Sequence, residues 1–337
     1  MTQPMKRVAI ALLCLLASAT MARAEAPPAC TGTDLAAKLK AEDPATYDAV
    51  MAEAKAIPNG QAIFWKIEHD GLPPSHLLGT AHVTDPRVTA LKPEVENALA
   101  GATTLALELA EVGDQQREAL AMFGLAKHMM LPPGQTIWDL IPDEDEHLLR
   151  DNPNLPPGAI NGMFGYQPWV VAVTVSRPLC ETARNLAGIR ALDAQLAIEA
   201  RALDIPVHGL ETMEEQISIL AGLPLDQQLA YLMAVIRNAA SLPDQFETLV
   251  SLYVQRRVTA MMPLLLKVQP LKPEESKMLE FVERELVIKR NHRMAERALP
   301  LLAKGNLFIA VGALHLPGKE GVVELLRQAG YKLTPIN

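Results

Sequence analysis

The sequence predicts an α/β protein whose central mixed β-sheet is built from its N- and C-terminal segments, with a large helical insertion between them. Strand patterns gather near both ends of the chain, while the middle reads as helix. Two apolar runs, His76-Leu77-Leu78-Gly79-Thr80-Ala81-His82 and Phe308-Ile309-Ala310-Val311-Gly312-Ala313-Leu314-His315, each pass into Gly-x-x-His. Open α/β sheets carry their chemistry at strand C-termini. Two histidines delivered in the same way from opposite ends of the chain therefore point to one shared site.

The chain begins with the pattern of a secretory leader. Lys6 and Arg7 precede the apolar run from Val8 to Ala17, and Ala22-Arg23-Ala24 is a small-x-small cleavage site. Residues 1–24 are thus expected to be a signal peptide, with the remainder exported to the periplasm or beyond. No lipobox-like cysteine stands at the cleavage point, and no later stretch is long and apolar enough for a stable membrane span. The formal net charge of −8 becomes about −11 once Lys6, Arg7 and Arg23 leave, which argues against nucleic acid as a partner. Cys14 leaves with the leader, so Cys30 and Cys180 remain. In an oxidising compartment that pair invites a disulfide between the N-terminal arm and the central helices; two free thiols are the alternative.

Elements follow in order. Thr31 to Ala56 reads as two short helices, the first capped by Thr33 or Asp34, with Leu35, Leu39, Tyr47, Val50 and Met51 on the apolar face. Pro58-Asn59-Gly60 breaks that pattern. Ala62 to Glu68 is a strand, Asp70-Gly71 a hairpin turn, and His76 to Gly79 the return arm. Pro93 to Ala100 is a short helix, and Thr103 to Leu109 a strand with Glu108 near its end. Helices fill Gln115 to Arg201, interrupted by Leu131-Pro132-Pro133-Gly134 and by Asn152 to Gly158. Tyr166 to Leu179 reads as a buried helix, although its β-branched residues also suit a strand. After a helix from Leu192 to Leu203, the strand Ile205 to Leu210 ends at Glu211. Leu225 to Met262 is helical, and Pro273 to Lys304 is one long charged helix or two. Asn306 to Gly312 is the last core strand, followed by a helix from Glu320 to Gln328 and a strand from Tyr331 to Ile336.

Of eight histidines, only His82 and His315 follow a strand and a glycine at the same offset. His69 and His76 flank the hairpin turn, His128, His147 and His292 lie on polar helices, and His208 reads as a core histidine. Glu108 lies between apolar residues, so a carboxylate there is half-buried and wants a partner. Glu211 has the same strand-end placement, but could instead cap the following helix. Two imidazoles with one or two carboxylates make a candidate site for a divalent metal. One glutamate would then be a ligand and the other a base or supporting group. Arg290-Asn291 could complete it, the arginine by clamping a carboxylate or an oxyanion, unless Arg290 simply lies on a solvated helix face. Arg87 carries the same two readings, and Asp193 reads as a helix cap. No His-Glu-x-x-His, Gly-x-Ser-x-Gly, P-loop or Gly-x-Gly-x-x-Gly pattern is present. The fourteen methionines are scattered along helices and read as core filler rather than as copper or haem ligands.

Phe64-Trp65-Lys66-Ile67-Glu68, Leu78-Gly79-Thr80-Ala81-His82, Leu107-Glu108-Leu109, Gly209-Leu210-Glu211-Thr212, Arg290-Asn291 and Val311 to Gly318 occur in an order that resembles the TraB/GumN family. That family is similar to the Tiki metalloproteases and, more distantly, to erythromycin esterases and haem-binding ChaN proteins. The resemblance covers about residues 60–337 and leaves residues 25–59 as a separate N-terminal helical arm, with the helical insertion at about 113–304. It implies a mixed sheet with a helical insertion, and metal-dependent peptide cleavage by the paired histidines and a glutamate. By motif these are His82, His315 and Glu108, with Mn, Co or Zn as the divalent metal and a peptide or protein as substrate. Glu211, Arg290 and Asn291 match further family motifs. Two other functions stay open at this level: a non-catalytic binding protein for haem, metal or peptide, and metal-free ester hydrolysis with a histidine base.

Overall fold

The computed structural model describes residues 29–269 and 280–336. The leader at 1–24, the first residues of the arm and the start of the long charged helix at Pro273 lie outside the described residues.

Six strands form one mixed sheet: β1 (Phe64–Glu68), β2 (Ser75–Thr80), β3 (Thr104–Leu109), β4 (Val207–Glu211), β5 (Leu307–Gly312) and β6 (Lys332–Pro335). Their spatial order is β4-β3-β5-β2-β1-β6. β1 and β2 make the expected antiparallel hairpin, with Gly71 at φ 78° in the turn, a left-handed conformation that suits glycine. β6 pairs antiparallel with β1. The other contacts, β4 with β3, β3 with β5 and β5 with β2, are all parallel. The α/β expectation therefore holds, and the sheet does draw on both ends of the chain. The helical middle adds one edge strand, β4.

Strand β5 sits at the centre and is buried along its whole length, which explains its unbroken apolar sequence: both of its faces are covered. On one face Leu78, Leu105, Leu107, Phe308 and Ala310 pack with Leu99, Leu192, Leu196 and Val250 from three helices. On the other, Leu77, Ala106, Ile309 and Val311 pack with Met294, Ala298 and Leu302 of the helix Lys289–Leu302, and with Val323 and Leu326 of the helix Val322–Gln328. The alternation of odd and even positions between these two sets is the period-2 signature of a strand. Register aligns Gly79 with Val311 and Thr80 with Gly312, so the two Gly-x-x-His segments leave the sheet side by side.

Helices Leu35–Glu42 and Pro44–Ala56 form the arm; Asp34 rather than Thr33 caps the first, accepting from the Ala36 and Ala37 amides. Tyr166 to Leu179 resolves as the helix Pro168–Val175, with all but Val173 and Thr174 buried. Val171 and Val175 pack with Ile137, Leu149, Leu232 and Ile236 in a separate helical core. A disulfide joins Cys30 to Cys180 across 150 residues, tying the arm to the helix Leu179–Leu186. The free-thiol alternative is set aside. Among the described residues no single helix is long and apolar enough to cross a membrane.

Candidate metal centre

The C-terminal ends of β2, β3 and β5 are neighbours, and each delivers one candidate side chain. Glu108 lies on β3; His82 follows β2 by two residues; His315 closes a 3-10 turn, Ala313–His315, that begins where β5 ends. Glu108 Oε1 lies 3.8 Å from His82 Nε2 and 3.8 Å from His315 Nε2. The sequence spacing is thus realised as convergence at one sheet end.

Both glycines of the motifs are there for space. A Cβ on Gly79 would approach the Ala313 Cα to 2.9 Å, so the first motif can pack against the second only without a side chain. A Cβ on Gly312 would lie 3.3 Å from Glu108 Oε1, 3.4 Å from His315 Cδ2 and 3.4 Å from His82 Nε2. Gly312 is therefore the floor between the three groups, and its amide donates to Glu108 Oε1 at 2.7 Å. The Tyr253 hydroxyl donates to the Gly79 carbonyl at 2.9 Å and pins the end of β2.

Each imidazole is oriented through its other nitrogen. His82 Nδ1 donates to Asp193 Oδ2 at 2.7 Å, and Asp193 Oδ1 accepts from the Thr80 hydroxyl. His315 Nδ1 donates to Asn291 Oδ1 at 2.6 Å, while Asn291 Nδ2 donates to the Glu320 carbonyl at 2.8 Å. Both Nε2 atoms are left facing Glu108, the arrangement in which metal-binding histidines are held. Asp193 is therefore not the cap that its sequence suggested: Ala191 occupies the N-cap of its helix, and Asp193 is buried against His82. No local pattern marks it, because its partners lie more than a hundred residues away.

Behind Glu108 is a buried charge network. Arg290 Nη2 donates to Glu108 Oε2 at 2.7 Å, its Nε donates to Glu211 Oε2 at 2.9 Å, and its Nη1 reaches the Leu286 carbonyl. Arg293 binds Glu211 Oε1 at 3.0 Å. The solvated-face reading of Arg290 fails, since its side chain is 12% exposed and fully engaged. Glu211 is not a helix cap either: its side chain is completely buried, and Thr212 and Glu215 form the capping box. Arg87 pairs with Asp85 and Glu247, which makes it structural. His208 is exposed on edge strand β4 and not in the core. Glu68, His69 and the β1–β2 turn line a hollow of about 430 Å3 at the opposite end of the strands, remote from these groups.

The charges bias protonation. Burial opposes ionisation of Glu108, but His82, His315, Arg290 and the Gly312 amide outweigh it and hold the carboxyl down at about 2. Burial also opposes the charged form of His82; the Asp193 carboxylate, by charge and hydrogen bond, and Glu108 override it and raise the ring to about 9. Water on the 58% of that side chain left exposed screens part of the attraction. His315 is lowered to about 4, by burial first and then by the positive charge of Arg290 and His82.

Two distances in the cluster are compatible with a divalent ion. Two donors on one ion, each bonded at about 2.1 Å, lie no more than about 4.2 Å apart, and both 3.8 Å separations meet that limit. The Gly312 floor leaves the intervening space free of a side chain. Among the described residues no group of three or more His, Cys, Asp or Glu side chains stands where it could hold a metal ion as placed. The cluster is two ligand-length edges meeting at Glu108 Oε1.

A family model, described as the TraB/PrgY/gumN family, matches residues 63–335. Metalloprotease TIKI1 of Danio rerio is 28% identical over 316 residues, covering 81% of this chain and 62% of its own. Metalloprotease TIKI2 of Xenopus tropicalis is 26% identical over 306 residues, covering 77% and 57%. Metalloprotease TIKI1 of Homo sapiens is 25% identical over 317 residues, covering 81% and 61%. The chain thus spans less than two thirds of the length of these relatives. No solved structure matches it.

Proposed function

We propose, from the premise that this chain belongs to the TraB/PrgY/gumN family, that it is a metal-dependent hydrolase of peptides with His82, His315 and Glu108 as its ligands. The observation that carries the reading is the approach of two imidazole Nε2 atoms to one carboxylate oxygen, each at 3.8 Å. The metalloprotease names of the relatives favour the same chemistry. A bound Mn, Co or Zn ion would supply Lewis acidity toward a peptide carbonyl and a water molecule.

The remaining work falls to the chain's own side chains. Asp193 and Asn291 hold the two rings with Nε2 forward. Glu108 is kept ionised, the form in which its Oε1 can serve as a ligand. Arg290 is a positioning residue in this reading, because its three guanidinium nitrogens already donate within the protein. Glu211, its side chain shut away from solvent, braces Arg290. Asn291 acts through His315 in the same way.

The disulfide supports export to an oxidising compartment, in line with the leader read at residues 1–24. We keep the division into an arm at 25–59 and a domain at 60–337, with the arm clamped by that bond.

The test is peptide cleavage by purified protein. Metal-reconstituted wild type is expected to cut members of a random peptide library, to stop on chelation, and to resume when metal returns. Glu108→Gln is expected to lose activity at least about a hundredfold, since losing a ligand costs no less than losing a group that supports one, itself about 10–100-fold. Metal uptake with no cleavage of any peptide would turn the reading to a binding protein on the same cluster.

A further inference from the structure

Beside His82 opens a groove of about 320 Å3. Its walls are His82 and Val83 after β2, Val173 on the helix Pro168–Val175, Phe246 and Leu249 on the helix Leu242–Val254, and Met261. We propose that this groove receives a large apolar side chain of the peptide substrate, next to the bond on which the His82 cluster acts. The inference rests on the peptidase reading above and adds a substrate preference to it.

Four observations support it. His82 belongs both to the cluster and to the groove wall, so a peptide whose scissile bond lies at the cluster brings a neighbouring side chain to the groove mouth. Val173 is 45% exposed on a helix whose other apolar residues are buried, which places an unburied apolar surface on that wall. The volume lies at the small end of ligand pockets, about 300–1,000 Å3, and so suits a side chain better than a large cofactor. The wall is also pre-formed. Glu181 accepts from the Thr84 amide at 2.8 Å and the Thr84 hydroxyl at 2.6 Å, and pairs with Arg184. Its charge is thereby occupied, and the Cys30–Cys180 bond fixes the adjoining residue.

The groove also discriminates by charge. Arg177 lines it and is exposed, and no described residue pairs with its guanidinium. A lysine or arginine side chain would meet that cation and an apolar wall together, while leucine or phenylalanine would meet only the wall.

The experiment has two readouts. In saturation-transfer NMR, N-acetyl-leucinamide is expected to bind wild type at least about tenfold more tightly than N-acetyl-lysinamide, and Val173→Arg is expected to remove the difference. Val173 is half exposed, so that variant keeps the fold; Leu249→Arg blocks the groove from the opposite wall. In library cleavage, wild type is expected to favour Leu or Phe at one position beside the scissile bond, and Val173→Arg to lose that preference about tenfold. Cleavage without an apolar preference, or equal binding of the two amides, overturns the groove proposal and leaves the peptidase reading in place. Selective leucinamide binding that Val173→Arg abolishes, with no peptide cleaved, supports the groove and overturns the peptidase reading.

Discussion

His82 Nδ1 donates to Asp193 Oδ2 at 2.7 Å, although 111 residues separate the two in the chain. That bond selects the tautomer with Nε2 free and turns it toward Glu108. Asp193→Ala is therefore expected to weaken divalent-metal affinity about 10–100-fold, the usual cost of losing such a supporting group. In the same variant the His82 pKa falls from about 9, because its main opposing charge is gone. Calorimetric metal titration and NMR titration of the ring measure the two effects; a variant with unchanged affinity and ring pKa would mean that Asp193 orients nothing.

Glu211 gives a contrasting expectation. Its fully buried carboxylate binds Arg290 and Arg293, and breaking such a network from one side costs about 3–5 kcal/mol. Glu211→Gln should lower the urea midpoint strongly, while the folded variant retains metal affinity. Loss of metal binding at unchanged stability would instead make Glu211 a ligand.

In the metal-free protein, the three groups of the cluster set a stability optimum near the ordinary histidine pKa of 6.5. His315 is lowered to about 4, so its contribution is present above pH 6.5 and is lost as pH falls from 6.5 through 4. Glu108, held at about 2, adds a loss below its ordinary value of 4.5. His82 is raised to about 9, so its contribution is full below pH 6.5 and is lost as pH rises through 9. Melting temperature against pH, without metal, is expected to fall on both sides. His82→Gln should flatten the alkaline limb, and an unchanged limb would contradict the assignment. Since ligation requires neutral imidazole, metal binding at pH 7 should release a proton from His82.

The Cys30–Cys180 bond closes a 150-residue separation. Cys30→Ser combined with Cys180→Ser is expected to destabilise the protein by about 2–5 kcal/mol, measured by denaturant unfolding. The arm should then become the first segment to exchange amide hydrogens. Unchanged stability would show that packing of Val50 and Ala54 against Leu252 and Leu264 holds the arm unaided.

Much of this cluster is legible in the chain because its side chains sit at strand ends. Apolar runs betray the strands, and glycine followed at fixed offset by histidine betrays the turns, so His82, His315 and Glu108 were legible one by one. Their partners were less so. Asp193 looked like a helix cap because local pattern cannot reveal a contact with Thr80 and His82. Arg290 looked like part of a solvated face because Lys289 and Arg293 flank it, yet the helix turns that one residue toward Glu108. Glu211 was ambiguous because Thr212 and Glu215 beside it do cap the helix. His208 lies in an apolar strand and so reads as buried, yet its side chain is exposed on β4, an edge strand of the sheet.

The most direct test of the account is calorimetric titration of metal-free wild type with Mn, Co and Zn, beside His82→Ala, His315→Ala and Glu108→Gln. The account predicts one divalent ion per wild-type chain, and at least a hundredfold weaker binding in each variant, the effect of deleting one ligand of three. Wild type that takes up no ion, or variants that bind it as tightly as wild type, would contradict the assignment of these three residues as one metal centre.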